Sequence, residues 1–365
     1  MIDRKLFQQT FSALHASPDT LSEVYKVVRR NKRHHTITKG MLVAAVLAMC
    51  ITVAGAVGIA NLIKANVTPA DSVTAADLHA FDADSISSDM PVMLDNSGQL
   101  VDLPRMERVA LDAETMQRLV GDYLSTVDAT VEADGYTISL KTFLIDESGS
   151  GFLTYTLSNP NGVSYADYGY GQVGTPMNPI LYIGEVGGHA MDAYTYLDTA
   201  ASTDTELHLV LYFNDFGHWQ KGDSLLFSVK SGATGGRSAI CIIPRTYLPV
   251  TTFTAESGDT VTVSALGIRM PTPAAADAVT EAVLDELVLH MADGSQYVVQ
   301  SEEDNIMNWV VGLGIADEDY HTIGNAYSFN RVVDVDAVTS VTVGGHYYTD
   351  FTAETAVAFD NTYTR

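Results

Sequence analysis

Between Met41 and Ile63 the chain carries no Asp, Glu, Lys or Arg, and this run restricts its fold more than any other feature. About 20 apolar residues in a helix cross a hydrocarbon core. A helix also satisfies its own backbone polar groups in lipid, which a lone strand cannot do. The run therefore predicts a transmembrane helix over residues 41–63. Ala54, Gly55 and Ala56 offer the small residues of a cleavable signal, but a secretory signal has a short charged leader and an apolar region of about 7 to 15 residues. Here 40 residues precede a longer run, so it reads as a retained anchor.

Charge sets the expected orientation. Residues 1–40 hold eight basic and three acidic side chains, and Arg29, Arg30, Lys32, Arg33 and Lys39 cluster beside the run. The remainder holds 12 basic (20 − 8) and 42 acidic (45 − 3) residues, a balance of −30. Lys and Arg hold their end of a span in the cytoplasm. The reading is a single-pass protein of the cell membrane, with a cytoplasmic N-terminus and an acidic extracellular region. That acidic exterior argues against a nucleic-acid partner.

The basic segment, 1–40, reads as a helical cytoplasmic tail. Phe7, Phe11 and Leu14 recur at helical spacing. Ser17, Pro18 and Asp19 suit the cap and first turn of a second helix, along which Leu21, Val24, Tyr25 and Val28 form an apolar stripe. A segment this small cannot bury both stripes by itself. Either a protein partner covers them, or they lie in the membrane interface with the basic cluster against anionic lipid. His34 and His35 lack a third candidate ligand nearby and read as part of the basic flank.

Beyond the run, residues 64–109 are rich in Ala, Asp, Ser and Thr and read as a flexible acidic stalk. Leu111, Met116, Leu119, Val120 and Tyr123 then mark one amphipathic helix. From Tyr136 the period changes to two. Tyr136, Ile138, Leu140 and Leu144 alternate, as do Leu153, Tyr155 and Leu157, and then Leu207, Leu209, Leu211 and Phe213. A second series starts near Ile240 and includes a hairpin turned at Asp293-Gly294. The expected fold class is mainly β, with two extracellular β-sandwich, Ig-like domains over 110–238 and 239–350 and a C-terminal tail over 351–365. GYTISL and GDTVTVS open the two halves similarly, as an internal duplication would.

No catalytic signature accompanies these strands. Lys230-Ser231-Gly232 matches one motif of penicillin-recognising enzymes, but the Ser-x-x-Lys nucleophile is missing from the exterior, so the triplet reads as a strand end and turn. Glu302, Glu303, Asp304, Asp317, Glu318 and Asp319 are acids on an acid-rich surface, and solvation explains them. His208 and His290 fall within strands, and His189, His218, His321 and His346 in or near turns, without metal-ligand spacing. Cys50 lies within the predicted span and Cys241 is alone in the exterior, so the two do not meet in one monomer, and Cys241 reads as a buried thiol. No cofactor or metal is expected. Tyr165, Tyr168 and Tyr170 sit on a glycine-rich loop suited to stacking on a glycan or peptide, or to packing the loop itself.

The tail FSALHASPDTLSEVYKV, with its basic flank and Ala/Val-rich span, resembles the start of a family of single-pass membrane proteins of Gram-positive bacteria, catalogued as a domain of unknown function. SALGIRM, DELVLHMADGSQYVVQ and FNRVVDVDAVTSVTV resemble that family's C-terminal region. The resemblance implies an anti-sigma-factor-like sensor with a cytoplasmic sigma factor as partner. The chain departs from better-understood anti-sigma proteins in having no zinc-binding His and Cys pattern in its tail. Two expectations follow: a non-enzymatic envelope sensor whose tail holds a transcription regulator, or a surface adhesion or structural module on a passive anchor.

Overall fold

In the computed structural model the described residues are 59–70, 113–163, 180–183, 191–198, 200–215, 219–231, 236–271, 281–316, 322–348 and 356–365. They are mainly β and form two units.

The first unit contains β1 (Ile59–Lys64), β2 (Asn66–Pro69), helix α1 (Ala113–Val120), β3 (Ser125–Ala133), β4 (Tyr136–Ile145) and β5 (Gly151–Ser158). It continues with β6 (Ile180–Ile183), β7 (Met191–Asp198), β8 (Glu206–Asp215), β9 (Leu225–Lys230) and β10 (Arg237–Ile242). A four-stranded sheet, ordered β1-β10-β9-β6, faces a six-stranded sheet, ordered β2-β3-β4-β5-β8-β7. Strand β3 shows why these segments pair: Ser125, Val127, Ala129 and Val131 are buried, while the residues between them are exposed. Asp134 and Gly135 turn β3 into β4 with φ of 55° and 83°, the left-handed pair that a two-residue hairpin needs.

Phe143, Phe213 and Phe227 meet in the core between the sheets, with ring centroids 5.9 to 6.4 Å apart. Gly151 is required beside them, because a Cβ there would collide with the Leu144 carbonyl and the Phe213 ring.

The second unit contains β11 (Thr251–Ala255), β12 (Thr260–Val263), β13 (Gly267–Pro271), β14 (Glu281–Met291) and β15 (Gln296–Ser301). It ends with β16 (Ile306–Met307), β17 (Trp309–Ala316), β18 (Thr322–Phe329), β19 (Val338–Tyr348) and β20 (Ala356–Thr364). These make one ten-stranded sheet, ordered β16-β15-β14-β19-β20-β11-β12-β13-β18-β17, which curls around its own core. Its two end strands are consecutive in the chain, separated by Asn308 alone. Buried Asn308 donates from its backbone to the Val299 carbonyl and from its side chain to the Val298 carbonyl (2.7 Å each). The Trp309 indole also donates across the closure to Gln300 (2.9 Å).

Several expectations need correction. Residues 59–63, assigned by their hydropathy to the end of the membrane helix, lie in strand β1, and 66–69 of the supposed stalk form β2. Their apolar and β-branched side chains serve a sheet as well as a helix, so hydropathy alone does not mark where a span stops. Strand β10 carries the first unit past residue 238, and the tail after residue 350 supplies β20, which pairs with β19 and β11. His346 lies within β19 rather than in a turn. Neither unit has the strand order of an immunoglobulin domain, and their orders differ from one another, so no duplication is visible in the topology. Among the described residues no helix is long and apolar enough to cross a membrane, and 41–58 lies outside them.

Candidate functional site: the joint between the two units

Strand β8 is buried on both faces. Leu207, Leu209, Leu211 and Phe213 enter the first core, as their alternation requires. Val210 and Tyr212, on the opposite face, enter a separate cluster shared between the units. That cluster joins Met116 and Val120 of α1, Leu144 and Phe152, to Ala265, Leu266, Val310, Val311 and Val332 of the second unit. Helix α1 thus serves the joint, and its Arg118 pairs with Asp334 across it (2.8 Å).

Polar side chains fix the register of this apolar seam. Asn214, fully buried at the end of β8, donates to the Val311 carbonyl (3.2 Å) and accepts from the Ser328 hydroxyl (2.9 Å). Tyr196 of β7 donates to the Val310 carbonyl (2.9 Å) and stands edge-on to Tyr212 (5.7 Å between centroids). The edge strand β17 is thereby capped by side chains of the first unit, which spares two of its carbonyls an unpaired burial.

Asp146, at the β4–β5 turn, is one of two buried carboxylates among the described residues; the other, Asp198, accepts from the Ala200 and Ala201 amides of its own turn. Its Oδ1 accepts from the Ser148 amide and hydroxyl and from the Ser150 amide (2.7 to 3.0 Å). Its Oδ2 accepts from the Ser264 hydroxyl of the second unit (2.5 Å), and Ser264 in turn accepts from the Leu266 and Gly267 amides. Burial pushes the Asp146 carboxyl above its ordinary value of 3.8, against the opposing pull of these donors, Ser264 first among them. The arrangement is chemically a hinge pin: a fully engaged acceptor that binds two units together, with no substrate-facing surface.

The remaining candidates are dispersed. Ser231 follows the end of β9 and donates to Asp134 (2.7 Å), so the Lys230-Ser231 step is a strand end. His208 contacts Glu206 (3.1 Å), His290 contacts Thr342 (2.8 Å) and His346 contacts Asp285 (3.2 Å), three separate pairings. Cys241 is buried and forms no disulfide. Among the described residues no group of three or more His, Cys, Asp or Glu side chains is placed to hold a metal ion. The stripe from Phe7 to Val28, the basic cluster from Arg29 to Lys39, and Tyr165, Tyr168 and Tyr170 lie outside the described residues.

Sequence reasoning missed the joint. Its signal was present in LHLVLYF, which is apolar at consecutive positions where a half-exposed strand alternates. No protein-family model matches the chain, and neither the curated proteins nor the solved structures provide a match.

Proposed function

We propose that this chain is a membrane-anchored, non-enzymatic envelope sensor of anti-sigma-factor-like kind, whose β units respond outside the cell and whose basic tail holds a transcription regulator inside. One observation carries the reading over a passive anchor: strand β1 begins at Ile59, inside the apolar run. Eighteen residues, Met41 to Gly58, remain for the span, within the roughly 17–25 that suffice to cross a bilayer. The span then leads into the sheet without a linker. An adhesive module needs only a tether, and a long flexible one serves it well; a transmitter needs a stiff connection. The stripe of Phe7, Phe11, Leu14, Leu21, Val24, Tyr25 and Val28 is the partner surface in this reading, and Arg29, Arg30, Lys32, Arg33 and Lys39 hold the orientation.

The test is affinity capture of the full-length chain from native membranes, with and without Leu21→Asp and Val24→Asp. The reading expects a sigma factor at a fixed ratio to the chain, lost in the variant together with repression of its transcripts. Equal recovery and unchanged transcription in both would overturn it.

A further inference from the structure

The first unit is closed on one side by a single short segment, Ile59–Pro69, which supplies the edge strand of both its sheets. Strand β1 pairs with β10 in parallel, whereas the other ladders of the four-stranded sheet are antiparallel. Parallel pairing is slightly weaker per residue, and here the register also breaks between Ile59 and Asn61. After β1 the chain crosses at Ala65, whose amide donates to the Cys241 carbonyl (3.0 Å), and β2 pairs with β3 in the opposite sheet.

Of residues 62–69 only Ala65, at the crossing, and Val67 of β2 bury their side chains in the main core. Leu62 and Ile63 are partly buried, and Lys64, Asn66, Thr68 and Pro69 are exposed. Beneath the segment, Ala239, Ile240, Cys241 and Ile242 of β10 are at most 1 % exposed. Strand β10 is held independently by six residue pairs with β9, and Ile240 and Ile242 belong to the main core. Leu62 packs on the outer face of that sheet, against Leu226, Ala239 and Cys241.

We infer that Ile59–Pro69 is a releasable latch, which detaches as one piece from an otherwise folded first unit and uncovers the edge of β10 together with the Cys241 thiol. Segments with few buried side chains and edge hydrogen bonds open at lower free energy than the core they cover. Both edges leave together because one chain crossing joins them. The latch is a two-state element, latched or released, which displacement of a segment attached at Ile59 would bias. Its existence stands on the packing alone; that the apolar run is what pulls on it rests on the function proposed above.

Cys241 is a built-in reporter. In the full-length chain in lipid vesicles, with Cys50→Ser to leave one thiol, Cys241 should be alkylated faster than global unfolding permits. Replacing both Leu62 and Ile63 by Ala should raise that rate by roughly tenfold or more while moving the global melting transition little. Hydrogen exchange on the unsubstituted chain gives a second reading that needs no variant to fold: amides of 59–69 should exchange well before those of 237–242. Alkylation that proceeds only with global unfolding, or equal protection of 59–69 and 237–242, would overturn the latch. If the latch opens but a chain lacking 1–58 opens no differently, the latch stands and the span is not its trigger. If the latch stays shut while Leu21→Asp still releases the regulator, the latch falls and the proposed function does not.

Discussion

The two β units solve the same edge problem in different ways. The second unit brings the ends of its sheet together through one residue, Asn308, so its closure is internal. The first leaves two sheets with separate edges and covers one side with Ile59–Pro69, a segment continuous with the apolar run. The second unit's sheet takes side-chain caps on β17 from Tyr196 and Asn214 of the first unit, but no strand. The first unit takes an edge strand for each of its sheets from Ile59–Pro69, so displacement of that segment acts on the first unit directly.

The contrast can be tested by substitution, most strongly at the first core. Phe213→Ala removes the ring that stacks on Phe143 and meets Phe227, and should cost about 3–5 kcal/mol. Because Val210 and Tyr212 on the same strand belong to the joint, calorimetry should show the second unit's transition shifting as well. A second transition left unmoved would show that the units melt independently.

Asp146→Ala comes next. It strips the acceptor from Ser148, Ser150 and Ser264 and should destabilise by about 1–3 kcal/mol in denaturant titration. Its pH dependence sharpens the point. The folded carboxyl titrates above the unfolded value of 3.8, so above the folded value both states are ionised and the burial penalty is felt in full. As pH falls through the folded value toward 3.8 the folded state takes up a proton first, and the penalty is relieved. Wild type should therefore gain stability relative to Asp146→Asn across that acid window, and a flat difference would contradict the placement of Asp146.

Smaller effects follow at the seam and the surface. Tyr196→Phe deletes one hydrogen bond to the Val310 carbonyl and should cost roughly 0.5–1.5 kcal/mol, read as a loss of coupling in a cycle with Ser328→Ala. Lys221→Ala, which breaks an exposed pair with Glu147, should change the melting temperature hardly at all.

Much of this architecture is legible in the sequence where one face of a strand meets water. The alternation of Leu207, Leu209, Leu211 and Phe213 predicts their burial, and the Asp293-Gly294 turn does close β14 onto β15. The same Ala-Asp-Gly sequence at 133–135 makes a tighter turn than at 292–294. At the first site Asp134 itself adopts positive φ, and at the second Gly294 does so within a wider loop closed by Met291 and Ser295. Local sequence proposes a turn, and the register of the flanking strands selects its type. The joint was illegible for a different reason. Val210, Tyr212 and Asn214 face a partner unit from far along the chain, and no local period encodes which face that partner will cover. Strand β1 was hidden by its own hydropathy, since Leu62 and Ile63 suit lipid and sheet alike.

The most direct measurement of the central claim is a crosslink in the intact protein. Lys64 is the register partner of Cys241, and paired strands bring their Cα atoms within the roughly 4.4–6.8 Å that a disulfide spans. With Cys50→Ser, the Lys64→Cys chain in native membranes should form the 64–241 disulfide on mild oxidation. A control with Thr68→Cys, which pairs with Thr126 in the opposite sheet, should not link to Cys241. Crosslinking of Lys64→Cys alone is the result expected if the apolar run passes straight into the fold. Equal yields from both positions, or none from Lys64→Cys, would mean that β1 does not lie on β10 and that the apolar run does not pass directly into the fold.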